Sequence, residues 1–183
     1  CRYLHIPLQS GDDEILAAMK RKYTVKEFAE CVEGFRRQVP DICIGTDVIV
    51  GFPGESDAHF QRTEALLREL PMDYFHTFSY SPRYMAKSQS FNDAVPSAVV
   101  QARSQILRQL SQRKRRLYHE SLLNTVQQVI FEERKANRWV GFTDNYVKVG
   151  VVSDDDLTGQ MRRVYLKSAD DLNVYAELYE SSK

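Results

Sequence analysis

The sequence has 183 residues, room for one domain of ordinary size or two small ones. Its balance of 43% hydrophobic and 27% charged residues, with zero net charge, fits a soluble globular chain. No apolar run approaches the roughly 20 residues of a membrane span and no signal peptide opens the sequence, so no membrane partner is expected and a cytoplasmic location is.

The chain opens on Cys1-Arg2-Tyr3-Leu4-His5-Ile6, already strand-like and without a starting Met, and is expected to be a fragment or an excised piece. Cys1, Cys31 and Cys43 are odd in number and lack metal-like spacing. They read as the mostly buried thiols of a reduced protein, and no metal site is expected from them. Charge is unevenly spread: residues 1–95 carry 11 basic and 14 acidic side chains, residues 96–122 carry 6 and 1, and residues 123–183 carry 8 and 10. The central basic stretch is either a solvated helix face or a contact for phosphates.

Tyr3–Leu8 reads as a short strand. Asp12 or Asp13 then caps a short helix through Met19. Thr24-Val25-Lys26-Glu27 is a capping box, and the helix that it starts spaces Phe28, Cys31, Val32 and Phe35 on one side. Ile42–Phe52 is almost wholly apolar and β-branched, the pattern of a parallel strand covered by helices on both faces; Asp47 within it needs a partner or a cavity. Ser56 or Asp57 caps a helix with Phe60, Leu66, Leu67 and Leu70 on its buried side, and Tyr74–Tyr80 is a third strand. The β-α-β-α-β order predicts an α/β unit with right-handed crossovers. Residues 84–95 read as a loop. A long helix follows from Pro96 to about Leu122, with Val99, Ile106, Leu110 and Leu117 as its apolar side and Arg103, Arg108 and Arg113 to Arg116 as its charge. Five short alternating segments (126–131, 138–142, 146–149, 160–166 and 174–178) then predict a small, closed or nearly closed β-barrel.

Chemistry concentrates at the C-terminal ends of the three parallel strands, where loops of such sheets converge on ligands. These are His5–Gly11, Gly45–Glu55 and Phe78–Arg83. Gln9 and Ser10 offer short polar groups, Gly51 and Gly54 let a ligand approach the backbone, Ile49 and Phe52 can press on an aromatic base, and Glu55 precedes a helix. His5 and His76 read as packing residues, His59 and His119 as surface helix residues. In the tail, Trp139, Phe142 and Tyr146 are either barrel core or platforms for unpaired bases. Asn145 is expected in a left-handed turn conformation. Arg138, with Arg134, Lys135, Lys148, Arg162 and Arg163, is a candidate phosphate contact, as are Arg115 and Arg116.

The strings His5-Ile6-Pro7-Leu8-Gln9-Ser10-Gly11, Gly45-Thr46-Asp47-Val48-Ile49-Val50-Gly51-Phe52-Pro53-Gly54-Glu55 and Tyr80-Ser81-Pro82-Arg83, in this order, resemble the later half of the radical-SAM barrel of methylthiotransferases, in the branch that modifies tRNA. The Gly45–Glu55 string and the Gly141–Tyr146 turn are most similar to the threonylcarbamoyladenosine group, with the isopentenyladenosine enzymes as close kin, and the tail resembles their TRAM domain. The resemblance implies half of a TIM-type α/β barrel over residues 1–95, a linker helix over 96–122 and an all-β RNA-binding barrel over 123–183. It implies S-adenosylmethionine and [4Fe–4S] clusters as cofactors of the complete enzyme, a 5′-deoxyadenosyl radical, and addition of a methylthio group to a modified adenosine beside the tRNA anticodon. Cofactor contacts carry over to Gln9, Ser10, Gly11, Ile49 and Gly51, and less directly to Asp47, Glu55 and Tyr80. The residues expected to meet RNA in that tail are Arg115, Arg116, Arg138, Trp139, Phe142, Asn145 and Tyr146, with an anticodon stem-loop as partner.

The Cys-x-x-x-Cys-x-x-Cys loop that such enzymes use is absent from this sequence, so the chain alone is expected to be inactive. Relatives continue Gly-Thr-x-Ala after the third string, where this chain has Tyr84-Met85-Ala86-Lys87. A half barrel exposes strand edges, which predicts self-association or cover by the long helix. The alternatives are a non-catalytic RNA-binding module and an unrelated α/β nucleotide-binding protein.

Overall fold

Ile44, Thr46, Val48 and Val50 are all fully buried and alternate with half-buried Asp47 and Ile49, so one face of this strand packs and the other stays accessible. In the computed structural model, which describes residues 1–81 and 93–180, it is β2 (Cys43–Val50), the middle strand of a three-stranded sheet with β1 (Tyr3–His5) and β3 (Tyr74–Ser79) on its flanks. β2 and β3 run parallel, Asp47 opposite His76 and Ile49 opposite Phe78. Helical connections join the three strands in sequence order, and right-handed crossovers in one direction put such helices on one face of a sheet. The two-faced apolar pattern predicts cover on both sides; on the second face Phe78 is 52% exposed and His76 is exposed too.

Short-range chemistry sets the helix starts. Asp12 caps α1 (Asp13–Ala18) by accepting from the N–H groups of Glu14 and Ile15. Thr24 and Glu27 form the expected capping box of α2 (Val25–Gln38), which buries Phe28 and Val32. Ser56 caps α3 (Asp57–Glu69) reciprocally with His59, and Phe60, Thr63 and Leu67 are buried. Asp73 accepts from the Ile44 N–H and from Arg36, both at 2.6 Å, tying the start of β3 to β2 and α2.

Pro7 brings no N–H to the seam between β1 and β2. The Thr46 hydroxyl bridges the gap: it donates to the Ile6 carbonyl at 2.5 Å and accepts from the Leu8 N–H at 2.9 Å. The Tyr23 hydroxyl lies 3.0 and 2.9 Å from the Pro7 and Leu8 carbonyls.

The chain divides into two compact units. One comprises Leu4–Pro40 and Ile44–Ser111; the other comprises Cys1–Tyr3, Asp41–Cys43 and Gln112–Lys183. Helix α4 (Ser97–Ser121) gives its earlier part to the first and its end to the second. Its buried side meets the expectation at Leu110 and departs from it elsewhere: Ile106 is 39% and Leu117 60% exposed, while Arg103, Ser104, Leu107, Ser111, Tyr118 and His119 are buried. Arg103, Ser104 and Ser111 sit on this side because each finds a partner there. The Ser111 hydroxyl, for example, donates to the Phe75 carbonyl at 2.6 Å and accepts from the Phe75 N–H at 2.9 Å, covering part of the free edge of β3. His119, expected at the surface, is 5% exposed.

The second unit is a closed five-stranded barrel in the order β4-β5-β6-β8-β7. These are β4 (Val126–Lys135), β5 (Arg138–Thr143), β6 (Lys148–Val151), β7 (Met161–Ala169) and β8 (Val174–Leu178). Neighbours are antiparallel except β6 and β8. Val129, Phe131, Val149, Val164, Leu166 and Val174 fill the interior. The left-handed residue of the turn before β6 is Tyr146, at φ 64°, and not Asn145. Asn145 is fully buried and accepts from the Thr143 hydroxyl at 2.5 Å, so its side chain locks the turn from inside and the backbone reverses one residue later. Cys1 and Cys31 are exposed and only Cys43 is buried, against the expectation of mostly buried thiols. Pro82, Arg83 and the Tyr84–Lys87 departure, with most of the expected loop over 84–95, lie outside the described residues.

Candidate functional site

The ends of the three strands meet on one rim. Gln9 donates from its N–H to the Asp47 carbonyl at 2.8 Å and accepts from the Ile49 N–H at 2.9 Å, and Tyr80 donates from its N–H to the Val50 carbonyl at 2.8 Å. Gln9 holds a left-handed conformation, φ 70°, which costs a non-glycine residue of order 1 kcal/mol and turns the chain out of the strand. Gly51 also has a positive φ, 78°. Phe52 and Tyr80 meet edge to face at 5.2 Å. Ser10 Oγ and Tyr80 Oη are buried and have no hydrogen-bond partner among the described residues, a condition that a polar ligand relieves.

Two of the expected cofactor residues turn inward instead. Gly11 lies against α3: its N–H donates to the Thr63 hydroxyl at 3.0 Å, and a Cβ there would be 2.7 Å from the Thr63 Cα. Glu55, 4% exposed, accepts from the Gly51 N–H at 2.8 Å and from Arg103 at 2.6 Å. Its carboxylate is spent on the turn, so its bearing on a ligand is through the shape of Gly51–Gly54. Asp47 lies deeper on the accessible face, beside His5 and His76. A cavity of about 390 Å³ adjoins the rim between Gly51, Tyr80, Val95 and Val100; Gln9 and Ser10 do not line it.

On the barrel unit, two expected RNA residues are inaccessible: Trp139 is 6% exposed and Asn145 fully buried, because inward positions of a small barrel must be filled. Tyr146 is 58% exposed, stacked on Phe142 at 5.2 Å and tilted against Tyr3 at 4.7 Å. Arg138 lies over the Tyr175 ring at 4.8 Å. Arg116 is exposed and pairs with Glu120 at 2.9 Å, and Arg115 is half-buried. Sequence reasoning missed two further cation–aromatic pairs, Arg163 over Tyr179 and Lys167 beside Tyr165. The outward alternation Arg163, Tyr165, Lys167 along β7 was the signal for them. Among the described residues no helix is long and apolar enough to cross a membrane.

Residues 1–67 match the radical SAM superfamily. Over 178 residues, 97% of this chain, the sequence is 38% identical to a probable threonylcarbamoyladenosine tRNA methylthiotransferase of Methanocaldococcus jannaschii, of which it covers 40%. This chain is similar to tRNA methylthiotransferases. It is also 36% identical to a tRNA-2-methylthio-N(6)-dimethylallyladenosine synthase of Coxiella burnetii, over 96% of this chain and 41% of that one. A Sulfurimonas denitrificans protein of the same name is 35% identical over 90% of this chain and 38% of its own. The chain thus spans about two fifths of the length of the curated methylthiotransferases it matches. The match to the radical SAM superfamily over residues 1–67 implies S-adenosylmethionine and a [4Fe–4S] cluster in a complete enzyme of that kind. The rim fits the first, through its glycine backbone and the two unpartnered hydroxyls. The cysteines do not fit the second: the ligating side chains that converge among the described residues are His5, Asp47 and His76, with no cysteine among them.

Proposed function

We propose that this chain is the later part of a radical-SAM enzyme that adds a methylthio group to a modified adenosine beside the tRNA anticodon. In this reading residues 1–95 form part of the catalytic barrel, 96–122 a connecting helix and 123–183 a TRAM-type barrel for RNA. The observation that carries it is the gathering of Gln9, Ile49, Gly51 and Tyr80 on one rim with two buried, unpartnered hydroxyls, in a chain similar to methylthiotransferases over nearly its whole length.

When bound, S-adenosylmethionine and its cluster supply radical chemistry that takes hydrogen from an unreactive C–H bond. The chain's own residues bind and orient. Gln9 and Ser10 hydrogen-bond the ribose of the adenosyl group. The bare backbone at Gly51 and the side chain of Ile49 receive the adenine. Tyr80 closes the pocket against Phe52 and excludes water. Exposed Tyr146, backed by Phe142, offers a stacking platform to an unpaired base, and Arg138 and Arg116 meet phosphates. The cluster thiolates come from residues other than Cys1, Cys31 and Cys43, and the chain by itself does not turn over.

The test uses the enzyme that contains this chain, with tRNA nucleosides read by mass spectrometry. Ser10→Ala should raise the KM for S-adenosylmethionine about tenfold, the value of one hydrogen bond of about 1.4 kcal/mol. Anticodon stem-loop binding should weaken with salt and with Tyr146→Ala. An enzyme that binds a nucleoside triphosphate but not S-adenosylmethionine would overturn the cofactor reading, and salt-independent or absent RNA binding would overturn the RNA reading.

A further inference from the structure

On the accessible face of the sheet, one layer below the rim, three adjacent strands bring together His5 from β1, Asp47 from β2 and His76 from β3. Asp47 and His76 are direct register partners. His5 Nε2 lies 3.0 Å from Asp47 Oδ1, and the rings of His5 and His76 are 5.7 Å apart. One ligating atom from each of the three lies within 4.8 Å of the others. The side chains of His5 and Asp47 are 26% and 27% exposed, and His76 is exposed, so small solutes reach the layer.

We propose that His5, Asp47 and His76 form a binding site for a divalent transition-metal cation of the zinc class. Two imidazoles and one carboxylate on one face are a donor set for such ions and leave the remaining coordination positions open. Two donors about 2.1 Å from one tetrahedral ion lie about 3.4 Å apart, so the pair of His5 and Asp47, at 3.0 Å, has to open by a few tenths of an ångström to admit it. Exposed His76 reaches the same point by turning its side chain. The other nitrogen of His5, Nδ1, faces the Tyr74 hydroxyl at 3.4 Å, the kind of second contact that orients a ligating imidazole. The site uses imidazole and carboxylate where an iron–sulfur cluster uses thiolate, and it does not depend on the adenosyl reading of the rim.

The experiment titrates Zn²⁺, and Co²⁺ as a spectroscopic probe, into the chain carrying Cys1→Ser and Cys31→Ser, which removes the exposed thiols as competing ligands. One Zn²⁺ should bind per chain in the micromolar range, and the Co²⁺ complex should show no thiolate charge-transfer band. His76→Gln, at an exposed position, and Asp47→Asn should each weaken binding by more than about tenfold, with circular dichroism confirming that both variants fold. Absence of saturable one-to-one binding, a thiolate band, or affinity unchanged in both variants overturns the proposal. S-adenosylmethionine binding by the complete enzyme is measured separately, so failure of one reading does not mask the other.

Discussion

Replacing Arg103 by Met should destabilise the α/β unit by about 3–5 kcal/mol, the range for breaking a buried ion pair from one side. Arg103 donates to a Glu55 carboxylate oxygen at 2.6 Å, to the Glu55 carbonyl at 3.0 Å and to Asp57 at 2.7 Å. The Arg103 and Glu55 side chains are 6% and 1% exposed, whereas that of Asp57 is 86% exposed and its contact adds little. Methionine fills much of the volume but leaves a buried carboxylate whose remaining hydrogen bond among the described residues is from the Gly51 N–H. Adding Glu55→Gln removes that charge while keeping an acceptor for Gly51, and should recover at least about 1–2 kcal/mol. Urea unfolding followed by far-UV circular dichroism on the parent, both single variants and the double variant closes the cycle. A single Arg103→Met variant within about 1 kcal/mol of the parent, or a double variant no better than it, would refute the reasoning.

Gly51→Ala should cost about 1–3 kcal/mol, because φ is 78° and the new methyl meets the Val100 side chain; an unchanged urea midpoint would contradict this. Burial holds the His119 imidazole below its ordinary value of 6.5, outweighing its backbone bond with Asp170. The unfolded chain therefore takes up this proton first as pH falls, so the stability His119 contributes is complete above about 6.5 and declines below it. Unfolding followed by the fluorescence of Trp139 should show that acid decline, and His119→Gln should flatten it. Asn145→Ala should cost the barrel about 1–2 kcal/mol by removing the nearest acceptor of the buried Thr143 hydroxyl. Tyr146→Ala should leave stability within about 0.5 kcal/mol while weakening RNA binding by about 1–3 kcal/mol; the opposite pattern would reverse the roles given to these two neighbours.

Element order was legible where local chemistry and periodicity agree. The β-branched run before Gly51 marks β2, Thr24 and Glu27 mark the start of α2, and five alternating segments mark the barrel strands. The buried side of α4 was not legible, because its apolar residues Ile106 and Leu117 point outward while Arg103, Ser104 and Ser111 point in. Their burial depends on partners at Glu55, Ser79 and Phe75, remote in sequence and invisible to a helical-period argument. The same limit applies to Glu55 and Gly11, whose residue types suit a ligand but whose partners lie inside the fold. Asp47 was conspicuous as a carboxylate in an apolar run. That two histidines would join it required the strand register, which residue types alone do not supply.

The Thr46 hydroxyl that spans the gap at Pro7 has a consequence for inheritance. The loop bearing Gln9 and Ser10 is kept in step with its neighbour by the Gln9 backbone bonds to Asp47 and Ile49 and, where Pro7 interrupts the ladder, by one oxygen atom belonging to a different strand, so the two strings cannot drift apart independently. Exchange of that threonine for valine, nearly identical in shape, would leave the core filled and strip the Ile6–Leu8 stretch of two hydrogen bonds, a lesion felt first at the rim just beyond it.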